Sequence, residues 1–252
     1  MNAAIYARQL LNGEATGFTL LRTYIDMIGT DPLFPGPTPG LLDAVEATVE
    51  REVADLRERL GSDAPDIASL ASHGTLGGEV GHLTGTGQFS MVLMEAEEDH
   101  GLFEEGVGAV VKTSQVPVLI VPGHYRFQGL RHILMADDEG EVRPGALDLL
   151  LAIARITGAE VVVLRVLPPE QPDTEVDGNG SHHTLLSEVP HSFITVHSND
   201  RAQAIREQVA RTDAQLVVLL HRHRGLLHGL FHHSIAKEVA EGTSVPVMVL
   251  EQ

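Results

Sequence analysis

The chain repeats itself, and this repetition constrains its fold more than any other feature of the sequence. The two halves end alike, with VPVLIVP at residues 116–122 and VPVMVL at residues 245–250. Upstream, residues 3–24 parallel residues 146–167, since both segments have the pattern of an amphipathic helix, a short turn and an apolar strand. Self-similarity over so long a period indicates a tandem duplication. The boundary between the two copies falls near residues 123–129.

The second copy, residues 125–252, predicts strands that alternate with helices. Its strand candidates are short runs of aliphatic and β-branched residues, which are typical of strands buried on both faces. Helical patterns separate these runs, for example at residues 143–157 and 200–212. This alternation predicts a parallel sheet with helices packed on both of its faces. The strand candidates lie at residues 130–138, 160–167, 192–198, 215–220 and 245–250.

The first copy, residues 1–124, departs from this plan in two places. It begins directly at a helix, so no counterpart of the strand at residues 130–138 precedes Ala3. A glycine-rich segment at residues 73–88 stands where the third helix is expected, which indicates that this helix has eroded. We therefore predict two tandem parallel-sheet domains, of which the first lacks its first strand; either Met1 is not the natural start, or this half is degenerate. The strands beside the missing one must then close up or be bridged by other elements.

The composition excludes several classes of function. The chain has no cysteine, so disulfides, thiolate metal sites and a cysteine nucleophile are ruled out. Its formal net charge of −18 repels phosphate backbones, and we expect no nucleic-acid partner. No run approaches the roughly 18 apolar residues of a membrane span, and the first residues lack the pattern of a secretion signal. We expect a cytoplasmic protein without a membrane partner.

At this point the sequence resembles the universal stress protein family, in particular its tandem two-domain members. The resemblance is carried by HILMADD at residues 132–138, by AIARITGAEVVVLRVL at residues 152–167 and by the long segment at residues 213–250. It implies a Rossmann-like, flavodoxin-like α/β fold with five parallel strands in the order 3-2-1-4-5 in a complete domain. In such sheets, ligands lie at the carboxyl ends of the strands, beside the topological switch point.

Many members of that family bind ATP through the motif Gly-x2-Gly-x9-Gly-Ser/Thr, whose glycines let the backbone approach the phosphates. An alignment without gaps places the three glycine positions at Leu220, His223 and His233. Only the terminal hydroxyl survives, as Ser234. Side chains at the glycine positions occupy space that the phosphates need, so the resemblance implies a nucleotide loop that has degenerated.

Other residues keep a nucleotide hypothesis open. Asp137 and Asp138 follow the strand where the family places an aspartate near adenine and ribose, although aspartate also suits a turn or a cap there. Arg222 and Arg224 could attract phosphates in place of the glycines, with Ser234 at the start of a helix. If ATP is a cofactor, we expect these five residues to contact it.

The corresponding loop of the first copy is short and acidic. Its carboxylates would repel ATP at reduced dielectric, and their simplest interpretation is a solvated acidic loop. These carboxylates belong to Glu95, Glu97, Glu98, Asp99, Glu104 and Glu105.

A histidine cluster supplies a second ligand hypothesis, a zinc site. His228 and His232 are four residues apart, which places two imidazoles on one face of a helix. Zinc needs three or four converging ligands, and a partly basic surface without metal is the alternative interpretation. The candidate ligands are His221, His223, His228, His232 and His233.

These features favour a non-catalytic stress-response regulator that has lost ATP binding and acts through protein contacts. No nucleophile elbow, no Walker-type phosphate loop and no pair of carboxylates beside a base points to an enzyme. The two terminal VPV strands predict a pseudo-dimer within the chain and leave a further homodimer open. ATP binding and zinc binding are the two alternatives, and the sequence does not name the protein partner.

Overall fold

The computed structural model describes residues 2–14, 17–25, 40–61, 64–96, 106–137, 142–143, 145–171, 181–221 and 233–251. Within them, helices and strands alternate along the chain. The helices are α1 (Asn2–Leu10), α2 (Leu41–Leu60), α3 (Leu76–Thr84), α4 (Gly108–Thr113), α5 (Asp148–Thr157), α6 (Ser181–Leu185), α7 (Arg201–Thr212) and α8 (His233–Gly242). The strands are β1 (Gly17–Tyr24), β2 (Asp66–His73), β3 (Val92–Ala96), β4 (Val118–Pro122), β5 (His132–Asp137), β6 (Glu160–Leu167), β7 (His191–His197), β8 (Leu216–His221) and β9 (Val247–Glu251). None of the helices described is long and apolar enough to cross a membrane.

The second half forms the sheet that its sequence predicts. Its strands run parallel in the spatial order β7-β6-β5-β8-β9, which is 3-2-1-4-5 when they are counted from β5. The central strand β5 is buried from Ile133 to Asp137, because strands cover both of its edges and helices cover both of its faces. The predicted fold class and strand order of this half are therefore confirmed.

Among the described residues of the first half, no strand takes the central position, as predicted, and the strands are divided between two sheets. Strands β1 and β2 pair in parallel as a separate two-stranded sheet. Strands β3 and β4 pair in parallel within the larger sheet. In the described part of the chain, no ladder joins β1 to β3, the two strands that would flank the missing one. These neighbours have therefore not closed up.

Strand β4 joins the two halves. It pairs antiparallel with β9, with Val118 opposite Val249 and Ile120 opposite Val247. The larger sheet thus contains seven described strands in the order β3-β4-β9-β8-β5-β6-β7. The two VPV segments of the sequence meet where the halves join, and β4 is buried along its whole length.

The helices cover the two faces of the larger sheet. Alternate residues of β4 show this directly, since Leu119 packs in one layer with α1 and α5, whereas Ile120 packs in the other layer with α4, α7 and α8. Helix α2 covers the small sheet through a separate and smaller core. The buried residues of that core are Val49, Val53, Leu56, Leu60 and Ile67.

The glycine-rich segment at residues 73–88 contains α3, so the predicted loss of the third helix is wrong. Thr75 caps this helix, since its side-chain oxygen accepts a hydrogen bond from the N–H of Gly78 at 3.3 Å. The low helix propensity of glycine, on which the prediction rested, is therefore outweighed by tertiary structure.

Close packing of α3 against α4 explains the glycines. A Cβ atom at Gly77 would lie 2.9 Å from the Cβ of Ala109, and one at Gly81 would lie 3.1 Å from the carbonyl oxygen of Thr113. The hydroxyl of Thr113 donates a hydrogen bond to the carbonyl oxygen of Gly77 at 2.6 Å. Only glycine lets the two backbones approach this closely.

Candidate functional site

The carboxyl ends of β5, β6, β8 and β9 meet at one edge of the larger sheet. From β5 the chain continues to β6 on one side and later returns to β8 on the other side, so the strand order reverses between β5 and β8. Open α/β sheets bind ligands in the crevice outside such a switch point. Asp137 ends β5, His221 ends β8 and Glu251 ends β9. We call this edge the carboxyl edge of the second half.

Asp137 is held within the sheet at this edge. Its side chain is 2% exposed, and its carboxylate accepts a hydrogen bond from the guanidinium of Arg165 at 3.4 Å. The two residues are register partners on β5 and β6. Because a buried carboxylate is stable only with a cationic or hydrogen-bonding partner, this ion pair is part of the sheet itself. Asp137 is therefore the last residue of a strand, neither a loop turn nor a helix cap.

Glu251 is a second partly buried acid at the carboxyl edge. Burial raises its pKa to about 8, and the nearby guanidinium of Arg143 offsets this effect only in part. At neutral pH the carboxyl group is therefore mostly protonated. Its register partner on β8 is His221, one of the predicted ligands. The sequence carries no signal for Glu251, because its burial depends on the position of β9 between β4 and β8.

Most of the predicted nucleotide and zinc ligands lie outside the described residues. The main chain places His221 at the end of β8, and it places His233 and Ser234 in the first turn of α8. The side chains of these three residues also lie outside the description. The remaining predicted ligands outside it are Asp138, Arg222, His223, Arg224, His228 and His232. The ATP and zinc hypotheses stay predictions at these positions, and the residues described contain no group of three or more metal-binding side chains.

Leu220 occupies the position that the resemblance aligns with the first glycine of the phosphate motif. It lies inside β8, opposite Leu250 of β9, and it is fully buried. Its side chain packs in the layer beneath α1 and α5. A large core residue therefore stands where the motif requires a bare backbone.

In the first half, Glu95 fixes the start of α1. Its carboxylate accepts a hydrogen bond from the N–H of Asn2 at 2.6 Å. Burial alone would raise the pKa of Glu95, but hydrogen bonds from the α-amino group and from the N–H groups of Asn2 and Ala3 outweigh it and lower the pKa. The interpretation of Glu95 as part of a solvated loop is wrong, because it belongs to β3 and binds a helix N-terminus. The other five acidic residues lie outside the description.

A cleft of about 440 Å³ lies at the amino ends of β5, β8 and β9, opposite the carboxyl edge. The side-chain oxygen of Gln215 accepts hydrogen bonds from the N–H groups of Arg131 and His132 at 2.8 and 3.0 Å. Arg131 and Asp213 form an exposed ion pair at 3.1 Å. These contacts tie the linker between the halves to the sheet. The cleft is lined by His124, Tyr125, Arg126, Gln128, Gly129, Arg131, Asp213, Gln215 and Ser244.

Comparison with known proteins shows which family and which solved structures this chain resembles. Residues 129–251 match the family model described as the universal stress protein family. The structure is similar to that of a universal stress protein from Archaeoglobus fulgidus DSM 4304, with a TM-score of 0.71 and 15% identity, covering 100% of this chain and 93% of that one. It is also similar to a functionally unknown protein from Pseudomonas aeruginosa PAO1, with a TM-score of 0.58 and 15% identity, covering 97% of this chain and 94% of that one. A search of curated proteins gave no match.

The fold and the switch-point site define an α/β protein of the flavodoxin-like type, with a mostly parallel central sheet. Residues 129–251 form a domain of the universal stress protein family. The expected family is thereby confirmed.

Proposed function

We propose that this protein is a non-catalytic regulator of the universal stress type that does not bind ATP and acts through contacts with other proteins. The observation that carries the proposal is the buried Leu220 at the first glycine position of the phosphate motif. A leucine here gives the backbone a side chain that the phosphate motif lacks, and changing this side chain would disturb the core of the sheet.

The acids at the carboxyl edge support the same proposal. Asp137 is engaged with Arg165 inside the sheet, so contact with a ribose would compete with a buried ion pair. Above its raised pKa, Glu251 would add a second negative charge near the place where phosphates lie in nucleotide-binding sheets. Asp137 therefore opposes an anionic ligand at neutral pH, and Glu251 does so only above its raised pKa.

The pairing of β4 with β9 supports a pseudo-dimer within the chain. The corresponding terminal strands of the two halves lie side by side and antiparallel, with Leu119 opposite Met248. An isologous interface brings the same surface of each copy against itself, and this pairing has that form. A homodimer of whole chains stays a prediction.

The test is thermal unfolding of the full chain with millimolar Mg-ATP. We expect no change in Tm, whereas a ligand at about 100 times its Kd would add roughly 2.7 kcal/mol of stability and several degrees. A saturable increase in Tm that the double variant Arg222→Ala/Arg224→Ala abolishes would overturn the proposal in favour of ATP binding. Asp148→Asn, an exposed residue at the start of α5, is the control.

A parallel titration with Zn²⁺, on protein without a histidine tag, tests the remaining alternative. We expect no stoichiometric metal after dialysis. Zinc retained at one equivalent, and lost in His228→Ala/His232→Ala, would instead assign the histidine cluster as a metal site.

A further inference from the structure

The cleft at the amino ends of β5, β8 and β9 lies where three segments of the chain meet. The linker between the halves forms one wall, the turn between α7 and β8 supplies Asp213 and Gln215, and the turn between α8 and β9 supplies Ser244. The volume of about 440 Å³ falls in the range of sites for small molecules. Because the cleft lies at the opposite edge of the sheet from the switch point, it is separate from the carboxyl edge of the second half.

The linker wall of the cleft is anchored in the core. Tyr125 and Phe127 pack edge to face against the buried ring of Tyr6, with ring centroids 5.7 and 5.6 Å apart. The side-chain amide of Asn2 donates a hydrogen bond to the carbonyl oxygen of Tyr125 at 2.7 Å. The alternate residues of the linker are exposed and line the cleft, namely His124, Arg126 and Gln128. A wall that is already held in place loses little conformational entropy when a ligand binds.

The fixed charges of the cleft are mainly positive, although the whole chain carries a formal net charge of −18. Two arginines, Arg126 and Arg131, line it together with one acid, Asp213. Arg131 neutralises that acid through the ion pair at 3.1 Å, so the guanidinium of Arg126 is in excess. Salt screens exposed charges that lie farther away than a Debye length of about 10 Å. A small ligand therefore responds mainly to the charges of the lining.

The guanidinium of Arg126 is oriented by the backbone of the linker. Its Nη1 donates hydrogen bonds to the carbonyl oxygens of Gly123 and Tyr125, both at 3.0 Å. Among the described residues, no carboxylate forms an ion pair with Arg126 and no group accepts a hydrogen bond from its Nε or Nη2. These two nitrogens form the edge with which arginine binds a phosphate or a carboxylate through two parallel hydrogen bonds.

The rest of the lining indicates which kind of anion fits. Ser244 and Gln128 supply a hydroxyl and an amide group, and none of the described residues that line the cleft is aliphatic. Its one aromatic carbocycle belongs to Tyr125, which already packs against Tyr6. Such a lining suits a hydrophilic molecule with several oxygen atoms. It offers little apolar surface to a nucleobase or an acyl chain.

We propose that this cleft binds a small hydrophilic metabolite that carries a phosphate or carboxylate group, and that the guanidinium of Arg126 binds the oxyanion. The bound molecule connects the linker to the turns that precede β8 and β9, and it thereby stabilises the junction between the two halves. The site goes beyond the proposed function, since it lies at the opposite edge of the sheet from the place where ATP would bind and does not depend on a protein partner.

The test is isothermal titration calorimetry of the full chain with glycerol phosphate and with citrate, and uncharged glycerol is the control ligand. We expect saturable binding of at least one of the two anions, with a Kd below about 1 mM, and no binding of glycerol. Binding of glycerol phosphate alone would support the proposal and assign a phosphate ester. Binding of citrate alone would support it and assign a carboxylate.

Two substitutions at Gln128 change the charge of the lining in opposite directions. Gln128→Lys should tighten binding about threefold, and Gln128→Glu should weaken it about threefold, because the residue is exposed and lines the cleft. The side chain of Gln128 forms no hydrogen bond with a described residue, so neither change should disturb the fold. Gln88→Lys and Gln88→Glu are the matched controls, since Gln88 is exposed and does not line the cleft.

Two further variants test the arginines. Arg126→Gln should weaken binding about tenfold or more, because it removes a charged donor. Asp213→Asn should tighten binding about threefold, since it releases Arg131 from its ion pair. Asparagine tolerates the left-handed backbone that Asp213 has, with φ at 50°, so this change keeps the turn. The Gln128 variants keep the test decisive if Arg126→Gln disturbs the linker.

Hydrogen exchange locates the bound anion. The backbone amides of residues 124–129 should exchange about threefold more slowly or less when the anion is bound, whereas those of α2 should not change. Three results would overturn the proposal: no saturable binding of either anion, equal binding by Gln128→Lys and Gln128→Glu, which would mean an adventitious ion only, and protection that does not include the linker. A failure of the proposed function would differ, because it would be an increase in Tm with Mg-ATP that Arg222→Ala/Arg224→Ala abolishes.

Discussion

The two halves of this protein have the same order of elements after the first strand, but within the described residues only the second half has a central strand. In the second half, β5 lies between β6 and β8, and all five parallel strands share one sheet. In the first half, the strands that correspond to β6 and β8 are β1 and β3, and they belong to different sheets. In a sheet of this topology, the strands are added outward from the central strand on both sides. The comparison shows how much the sheet depends on that central strand.

The ion pairs of the two halves differ for the same reason. Arg165 reaches the carboxylate of Asp137 at the end of the central strand. Its counterpart Arg22 has no such strand beside it among the described residues, and its guanidinium binds Glu52 on the overlying helix α2. At the same position of the repeat, the arginine therefore joins two strands in the second half and joins a strand to a helix in the first half.

The largest expected effect compares two leucines at the same position of the repeat, Leu164 in β6 and Leu21 in β1. Leu164 is fully buried, so Leu164→Ala should lower the free energy of unfolding by about 3 kcal/mol. Leu21 is only partly buried, and Leu21→Ala should lower it by about 1 kcal/mol or less. Urea denaturation of both variants measures the difference. Equal losses would mean that the first half is packed as tightly as the second, contrary to the comparison.

The next effect concerns the close contact between α3 and α4, where the first half is well packed. Gly77→Ala should lower the free energy of unfolding by about 2 kcal/mol, because the new methyl group would lie 2.9 Å from the Cβ of Ala109. The double variant Gly77→Ala/Ala109→Gly should recover part of this loss, since it removes the nearest atom. A stabilised Gly77→Ala variant would show that helix propensity outweighs packing here. Thermal unfolding is sufficient for the comparison.

The pH dependence of Glu251 sharpens the comparison at the carboxyl edge of the second half. The pKa of this group is raised to about 8 in the folded state, so the stability that it contributes is complete below about pH 4.5 and is lost as the pH rises to about 8. Glu251→Gln removes this loss. Relative to wild type, the variant should gain about 1–2 kcal/mol between pH 4.5 and pH 8.5, after allowance for solvent screening. An effect of Glu251→Gln that is the same at both pH values would contradict the assignment.

Glu95 in the first half should show the opposite sign and a smaller effect. Its pKa is lowered, so its contribution to stability is present above the ordinary pKa of a glutamate and is lost as the pH falls. Glu95→Gln should lower the free energy of unfolding at pH 7 by about 0.5–1 kcal/mol, through the weaker contact with the N-terminus of α1. The difference from wild type should vanish near pH 3. Glu46→Gln, on the exposed face of α2, provides the control for a general charge effect.

The fold was predictable from sequence because its signals are local. Runs of aliphatic and β-branched residues mark the strands, and the repeat predicts that the first half has no counterpart of β5. The recurrence of VPV also anticipated a special role for β4 and β9, since terminal strands that recur in both copies can pair across a pseudo-symmetry axis.

The errors and omissions concern long-range contacts. The glycines of α3 suggested a lost helix, because the close approach of Gly77 to Ala109 is not visible in propensities. The contact of Glu95 with α1 joins residues 93 positions apart, and no motif predicts it. Asp137 was placed at the correct edge, but its partner Arg165 follows only from the register of β5 against β6.

The antiparallel pairing of β4 with β9 has a consequence for how this protein responds to its own abundance. When two separate chains pair through their terminal strands, dilution separates them. Here a linker of nine residues, 123–131, runs from β4 to β5, and it confines β4 near β9 at an effective concentration of the order of millimolar. The contact between the halves therefore does not depend on how many copies of the protein are present, and only cleavage of the linker would make it sensitive to dilution.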